Sequence, residues 1–136
     1  MRMRWALVVA AAAGIAGCGD DEDHANRERP PATINVTASI ADGRVLVSPR
    51  SFGAGPIRLI VSNQTTSAQA VTLETGGNAA GVTQTSAPIT PAGTGTLELD
   101  LPEGDYEVST DDGRIRPAEV TVGAPRPSAQ QALLQP

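Results

Sequence analysis

The sequence predicts an all-β domain, an antiparallel Greek-key β-sandwich of about seven short strands over residues 33–123. Three observations predict it. Apolar residues recur with period two, which gives a strand one buried and one wet face. Turn-forming clusters punctuate the chain at short intervals, as a sandwich of short strands requires. No segment carries a helical apolar period.

Taken in order, Ile34, Val36, Ala38 and Ile40 alternate with Asn35, Thr37 and Ser39. Asp42-Gly43 then supplies a hairpin turn. Val45 and Val47 continue on a second strand that stops at Pro49. Gly53–Pro56 reads as a loop. Ile57, Leu59 and Val61 alternate with Arg58 and Ser62, and Asn63–Ala68 reads as a polar turn. Val71 and Leu73 form the next strand. Thr75–Ala87, rich in small and hydroxyl residues, reads as loop. Leu97 and Leu99 alternate with Thr96, Glu98 and Asp100. Tyr106 and Val108 precede a second turn at Asp112-Gly113, and Val120 and Val122 close the domain. The run Leu101-Pro102-Glu103-Gly104-Asp105-Tyr106 has the form of a tyrosine corner, in which the hydroxyl bonds back to nearby backbone. Residues 124–136 read as a proline-broken tail; Ser128 and Gln131 have capping-box spacing for a short helical turn that would pack Leu133 and Leu134 on the sandwich, and a frayed end fits the residues equally.

Residues 1–17 precede the domain as an export leader: a basic start at Arg2 and Arg4, then an apolar run from Trp5 to Ala13 too short to span a bilayer. Ile15-Ala16-Gly17-Cys18 resembles the lipobox of bacterial lipoproteins. The resemblance implies cleavage before Cys18 and a diacylglyceryl thioether on its sulfur, with further acylation, palmitate included, at its amine. Two or three acyl chains make a lasting anchor where one would not. The expected place is therefore the extracytoplasmic side of a membrane, the outer membrane by default in a double-membraned cell because Gly19 is not the aspartate that retains lipoproteins inside. Residues 18–32 form the tether, with the acidic run Asp20-Asp21-Glu22-Asp23, His24, and Pro30-Pro31. No apolar surface there repays ordering entropy, and such a run offers metal ligands without prearranged geometry. The tether is expected to be a spacer with no metal site.

Composition narrows function further. Cleavage removes Arg2 and Arg4, leaving eight arginines and no lysine against fifteen acidic residues, a charge of −7. That balance opposes nucleic acid and an anionic membrane surface as direct partners. Phe52 and Tyr106 are the only aromatics beyond the leader, too few for stacking platforms. The domain contains no histidine, lysine or cysteine, so the usual general base and activated nucleophiles are missing. Asp111-Asp112 is better explained as turn chemistry than as a catalytic pair. No catalytic, cofactor-binding or metal-binding residue is expected, and the chain is expected not to be an enzyme. Arg114 and Arg116 flank Ile115 and could share one strand face as a small anion site, although solvated charges that protect a strand edge account for them better.

Three stretches resemble a cupredoxin-like domain: Pro56-Ile57-Arg58-Leu59-Ile60-Val61-Ser62-Asn63, Gln69-Ala70-Val71-Thr72-Leu73, and Ile89-Thr90-Pro91-Ala92-Gly93-Thr94-Gly95-Thr96 leading to Tyr106. The resemblance implies a scaffold whose copper ligands are two histidines, a cysteine and usually a methionine. Gln69 stands where the first histidine falls, Ser109 or Thr110 where the cysteine falls, and no ligand carries over. The expected function is a membrane-anchored, copper-free module for interaction or structural support in the cell envelope, held through lipid on Cys18, with an envelope protein as the partner class. Gly53–Pro56, Asn63–Ala68 and Thr75–Ala87 would form its contact surface. The alternative the family suggests is a metal-handling or electron-transfer relative.

Overall fold

The computed structural model describes residues 28–41, 43–76 and 81–129. The leader, Cys18, the acidic run and His24, Asp42, Gln131, Leu133 and Leu134 lie outside the described residues.

Eight strands build the domain: β1 (Ile34–Ala41), β2 (Arg44–Ser48), β3 (Ser51–Asn63), β4 (Val71–Thr75), β5 (Thr83–Thr85), β6 (Thr94–Leu101), β7 (Gly104–Thr110) and β8 (Ala118–Pro125). Their pairings fall into two groups, β2-β1-β3-β6 and β3-β8-β7-β4-β5, joined through β3. The architecture is the expected β-sandwich, with two departures in detail. The eighth strand, β5, pairs with β4 inside the segment read as the loop Thr75–Ala87. Its three residues are all exposed, so no apolar alternation marks it. Two pairings are parallel, β1 with β3 and β3 with β8, while the rest are antiparallel. Parallel neighbours come from chain crossovers, which local patterns do not encode.

The alternation read from the sequence is the alternation of burial. Val36, Ala38, Ile40, Leu59, Val61, Val71, Leu73, Leu97, Leu99, Val108, Val120 and Val122 are all buried. The core is almost wholly aliphatic, with Tyr106 its one aromatic member. The Tyr106 hydroxyl donates to the Pro102 carbonyl at 2.8 Å, which makes the tyrosine corner.

Gly53–Pro56, read as a loop, lies inside β3 and is the place where that strand changes sheets. Ser51–Ala54 pairs with β8, and Gly55–Ser62 pairs with β6. The register shifts between Gly53 and Ala54. Burial changes phase across the same step: Ala54 points inward, then Ile57, Leu59 and Val61 do. Gly55 has φ +126°, a conformation that a side chain opposes. A Cβ on Gly53 would lie 2.7 Å from the Arg126 side chain.

That arginine holds the corner. Its Nε donates to the carbonyls of Gly53 at 3.0 Å and Ala54 at 3.3 Å, one terminal nitrogen donates to Pro56 at 2.6 Å, and the other to Ala32 at 2.5 Å. Its backbone N–H donates to Ala54 at 3.1 Å. The segments flanking residues 33–123 therefore join the domain: β8 runs to Pro125, Ser128 is buried, and the Ala129 N–H reaches the Pro30 carbonyl.

Two stability measurements check this reading. Arg126→Ala removes charge-assisted bonds to several carbonyls and is expected to cost about 2 kcal/mol in denaturant unfolding, with Arg126→Lys recovering less than half because an ammonium lacks the planar fork. Burial also holds the Tyr106 phenol above its ordinary value of 10.0. The unfolded chain then loses this proton at lower pH than the folded one, so the stabilisation is complete below the ordinary phenol range and is lost as pH rises through the folded value. Tyr106→Phe is expected to lower stability by about 1 kcal/mol at neutral pH and to flatten the alkaline fall.

Candidate functional site

Two of the three buried polar residues among the described ones, Asn63 and Gln69, lie at the end of the sandwich opposite the corner. Asn63 ends β3 and Gln69 precedes β4; both are buried. Thr110 ends β7 on the same inward parity as Tyr106 and Val108 and is half-buried. Val71 pairs with Thr110, which brings the start of β4 and the end of β7 side by side. Of the two positions where the resemblance puts a cysteine, Thr110 therefore has the inward parity, and Ser109 has the opposite one.

Asn63 organises this end. Its side-chain nitrogen donates to the carbonyls of Ser67 and Ile89, both at 2.8 Å. Its Oδ1 accepts from the Thr65 N–H at 2.9 Å and the Thr65 hydroxyl at 2.8 Å. Its own N–H donates to the Gly93 carbonyl at 3.0 Å. The side-chain oxygen thus holds the turn at Thr65, while the side-chain nitrogen joins the turn at Ser67 to Ile89, so both ends of this buried amide are satisfied. Gln69 and Ile89 exchange backbone bonds at 3.1 and 2.8 Å, and the Gln69 amide nitrogen donates to the Ser67 hydroxyl at 2.9 Å. Its Oε1 is buried and meets no donor among the described residues.

A blue-copper site needs imidazole nitrogen and soft sulfur. The residues at this end do not fit it. Asn63 Oδ1 is committed to Thr65, and Gln69 Oε1 is one neutral, hard oxygen. No group of three or more His, Cys, Asp or Glu side chains is arranged to hold a metal among the described residues.

The other residues singled out in the sequence separate. Asp112 accepts from the Arg114 N–H at 3.0 Å, as its turn role requires, and from the Arg114 guanidinium at 2.9 and 3.0 Å. These bonds lower the Asp112 carboxyl and raise the Arg114 guanidinium from their ordinary values. Asp111 accepts from the Ala70 N–H at 3.0 Å. The two carboxylates serve turn and strand end rather than a shared cleft. Arg114 is thereby engaged locally, while Arg116 bridges toward Arg44 on β2, so the two do not make one anion site. The Asn63 cluster escaped the reading of Asn63–Ala68 as a polar turn; its one local signal is the Asn-Gln-Thr order of an Asx turn.

Auracyanin A, a "blue" copper protein from the green thermophilic photosynthetic bacterium Chloroflexus aurantiacus, is similar with TM-score 0.51 and 14% identity, over 68% of this chain and 99% of its own. Auracyanin B gives TM-score 0.53 and 16% identity over 71% and 92%. The fold is cupredoxin-like. Dithionite-reduced auracyanin from the photosynthetic bacterium Roseiflexus castenholzii gives TM-score 0.50 and 13% identity over 69% and 98%. At these identities the cupredoxin likeness carries the scaffold and not the chemistry. No family model and no curated protein matches the sequence.

Asn63→Ala would strip partners from several backbone groups at once. It is expected to destabilise the domain by about 2–4 kcal/mol in denaturant unfolding, more than any exposed threonine of β5 changed to alanine.

Proposed function

We propose that this chain is a membrane-anchored extracytoplasmic lipoprotein whose cupredoxin-like domain is copper-free and non-catalytic, serving interaction or structural support in the cell envelope. The observation that carries the reading is the Asn63–Gln69 amide cluster. Hydrogen bonds from amides join the segments at the end where a cupredoxin would need imidazole and thiolate ligands. A non-catalytic role draws support from the domain's lack of histidine, lysine and cysteine.

The placement of the tether supports recognition. Pro30–Ala32 enters beside the Gly53–Pro56 corner, where Arg126 bonds the Ala32 carbonyl. From Gly55, β3 runs to Asn63, roughly 26 Å at strand rise. A domain anchored through Cys18 would then present the Asn63–Ala68 turn and the Ile89–Gly93 segment away from the membrane. Loops on a rigid scaffold are suited to contact a partner, and an envelope protein is the partner class that fits.

Two experiments test the two halves. Cells fed an alkyne-bearing palmitate should label the wild-type chain, and Cys18→Ser should abolish the label and release the protein from the membrane fraction; a labelled, membrane-bound C18S chain contradicts the anchor. Copper(II) added to the full lipidated chain should give no thiolate charge-transfer band, and His24→Gln should lower whatever loose binding the lone imidazole beside the acidic run gives. Micromolar or tighter copper binding that survives H24Q contradicts the copper-free reading.

A further inference from the structure

The start of β2 is bridged to the segment before β8. The Val45 N–H donates to the Arg116 carbonyl at 2.8 Å, and the Arg116 N–H donates to the Gly43 carbonyl at 2.9 Å. This bridge sets Arg44 against Arg116. Just beyond it, Glu107 and Glu119 sit directly opposite across β7 and β8. Both like-charged pairs line one open groove of about 430 Å³, with Arg50 and the exposed Leu46 on the same wall.

Like charges directly opposite in a sheet are unfavourable. Among the described residues the ion pairs are Arg58–Glu98 and Arg114–Asp112, and none of the five groove charges enters either. A simple anion drawn to the arginines meets the glutamate pair, and a simple cation meets the reverse. A molecule with both signs relieves both pairs at once. Guanidinium groups match an oxyanion by two-point hydrogen bonding, and neighbouring carboxylates accept from an ammonium.

We propose that this groove binds a small zwitterion, with a phosphate held by Arg44, Arg116 and Arg50 and an ammonium a few atoms away held by Glu107 and Glu119. A soluble phosphoethanolamine and the headgroup of a phosphatidylethanolamine share that chemistry. The site stands apart from the Asn63 end, and its test does not depend on the anchor or on copper.

The test is calorimetric titration of the full chain in a non-ionic detergent with phosphoethanolamine, inorganic phosphate and ethanolamine. Phosphoethanolamine should bind tightest. Arg44→Gln and Arg116→Gln should each weaken it about tenfold. Glu119→Gln should weaken phosphoethanolamine but strengthen inorganic phosphate, and Glu103→Gln, outside the groove, should change neither. Because the groove side chains make no hydrogen bond within the described fold, R116Q should unfold at or above the wild-type midpoint. Binding of the free compound together with phosphatidylethanolamine nanodiscs indicates a lipid headgroup; binding of the free compound alone indicates a soluble ligand. Phosphate and phosphoethanolamine of equal affinity, or phosphoethanolamine binding untouched by R116Q, overturns the proposal.

Discussion

A strand that serves two sheets must break its own side-chain alternation once, and β3 does so between Ala54 and Ile57 under the guanidinium of Arg126. At that step the register shifts between Gly53 and Ala54, and the carbonyls of Gly53, Ala54 and Pro56 accept from the Arg126 side chain. A buried or half-buried carbonyl without a donor costs more than a hydrogen bond gains. One planar cation with a fork of donors meets them together. Gly53 leaves room for its stem and Gly55 accepts the left-handed turn. From this corner onward β3 pairs with β6 and β1, and before it with β8, so both halves of the sandwich inherit their alignment from one place.

The opposite end of β3 meets a related constraint with different chemistry. Strands end there, and their last inward positions are the polar Asn63, Gln69 and Thr110. A blue-copper protein would link such segments through metal bonds to imidazole and thiolate. In this chain two buried amides and backbone exchange between Gln69 and Ile89 make the links. Closure of this kind needs no cofactor to form. It also spends the amide groups on the protein itself: only the Gln69 Oε1 acceptor remains without a donor among the described residues. Recognition by this end would then rest on its exposed loop surface, and the charged groove between β2 and β8 is a separate feature on a side wall.

Much of the fold was legible because burial in a sheet has period two. Ile40, Leu59, Leu73, Val108 and Val120 announce their inward faces in the residue pattern alone. Tyr106 and Asp112-Gly113 were legible because corner and turn chemistry is local. The absence of histidine, cysteine and methionine from residues 33–123 is a matter of residue type and needs no structure to read. What the pattern hid is non-local or has no apolar signature. Arg126 reaches carbonyls seventy or more residues away, and nothing near it in sequence marks the contact. Gly53–Pro56 carries the composition of a loop and acts as a corner inside a strand. The exposed threonines and glutamine of β5 have no buried face to alternate. Arg44 and Arg116 meet only through a bridge between distant segments, so the neighbouring pair Arg114 and Arg116 drew attention instead.

In the proposed reading, amide hydrogen bonds and not a metal hold the Asn63 end together. Native-state hydrogen exchange of the full chain reads this at the Asn63, Gln69 and Ile89 amides, which donate to Gly93, Ile89 and Gln69. Without metal, their protection should approach that of core amides such as those of Leu59 and Val108, and copper(II) should leave it unchanged. Fast exchange at these three amides that slows only when copper is added would contradict the account.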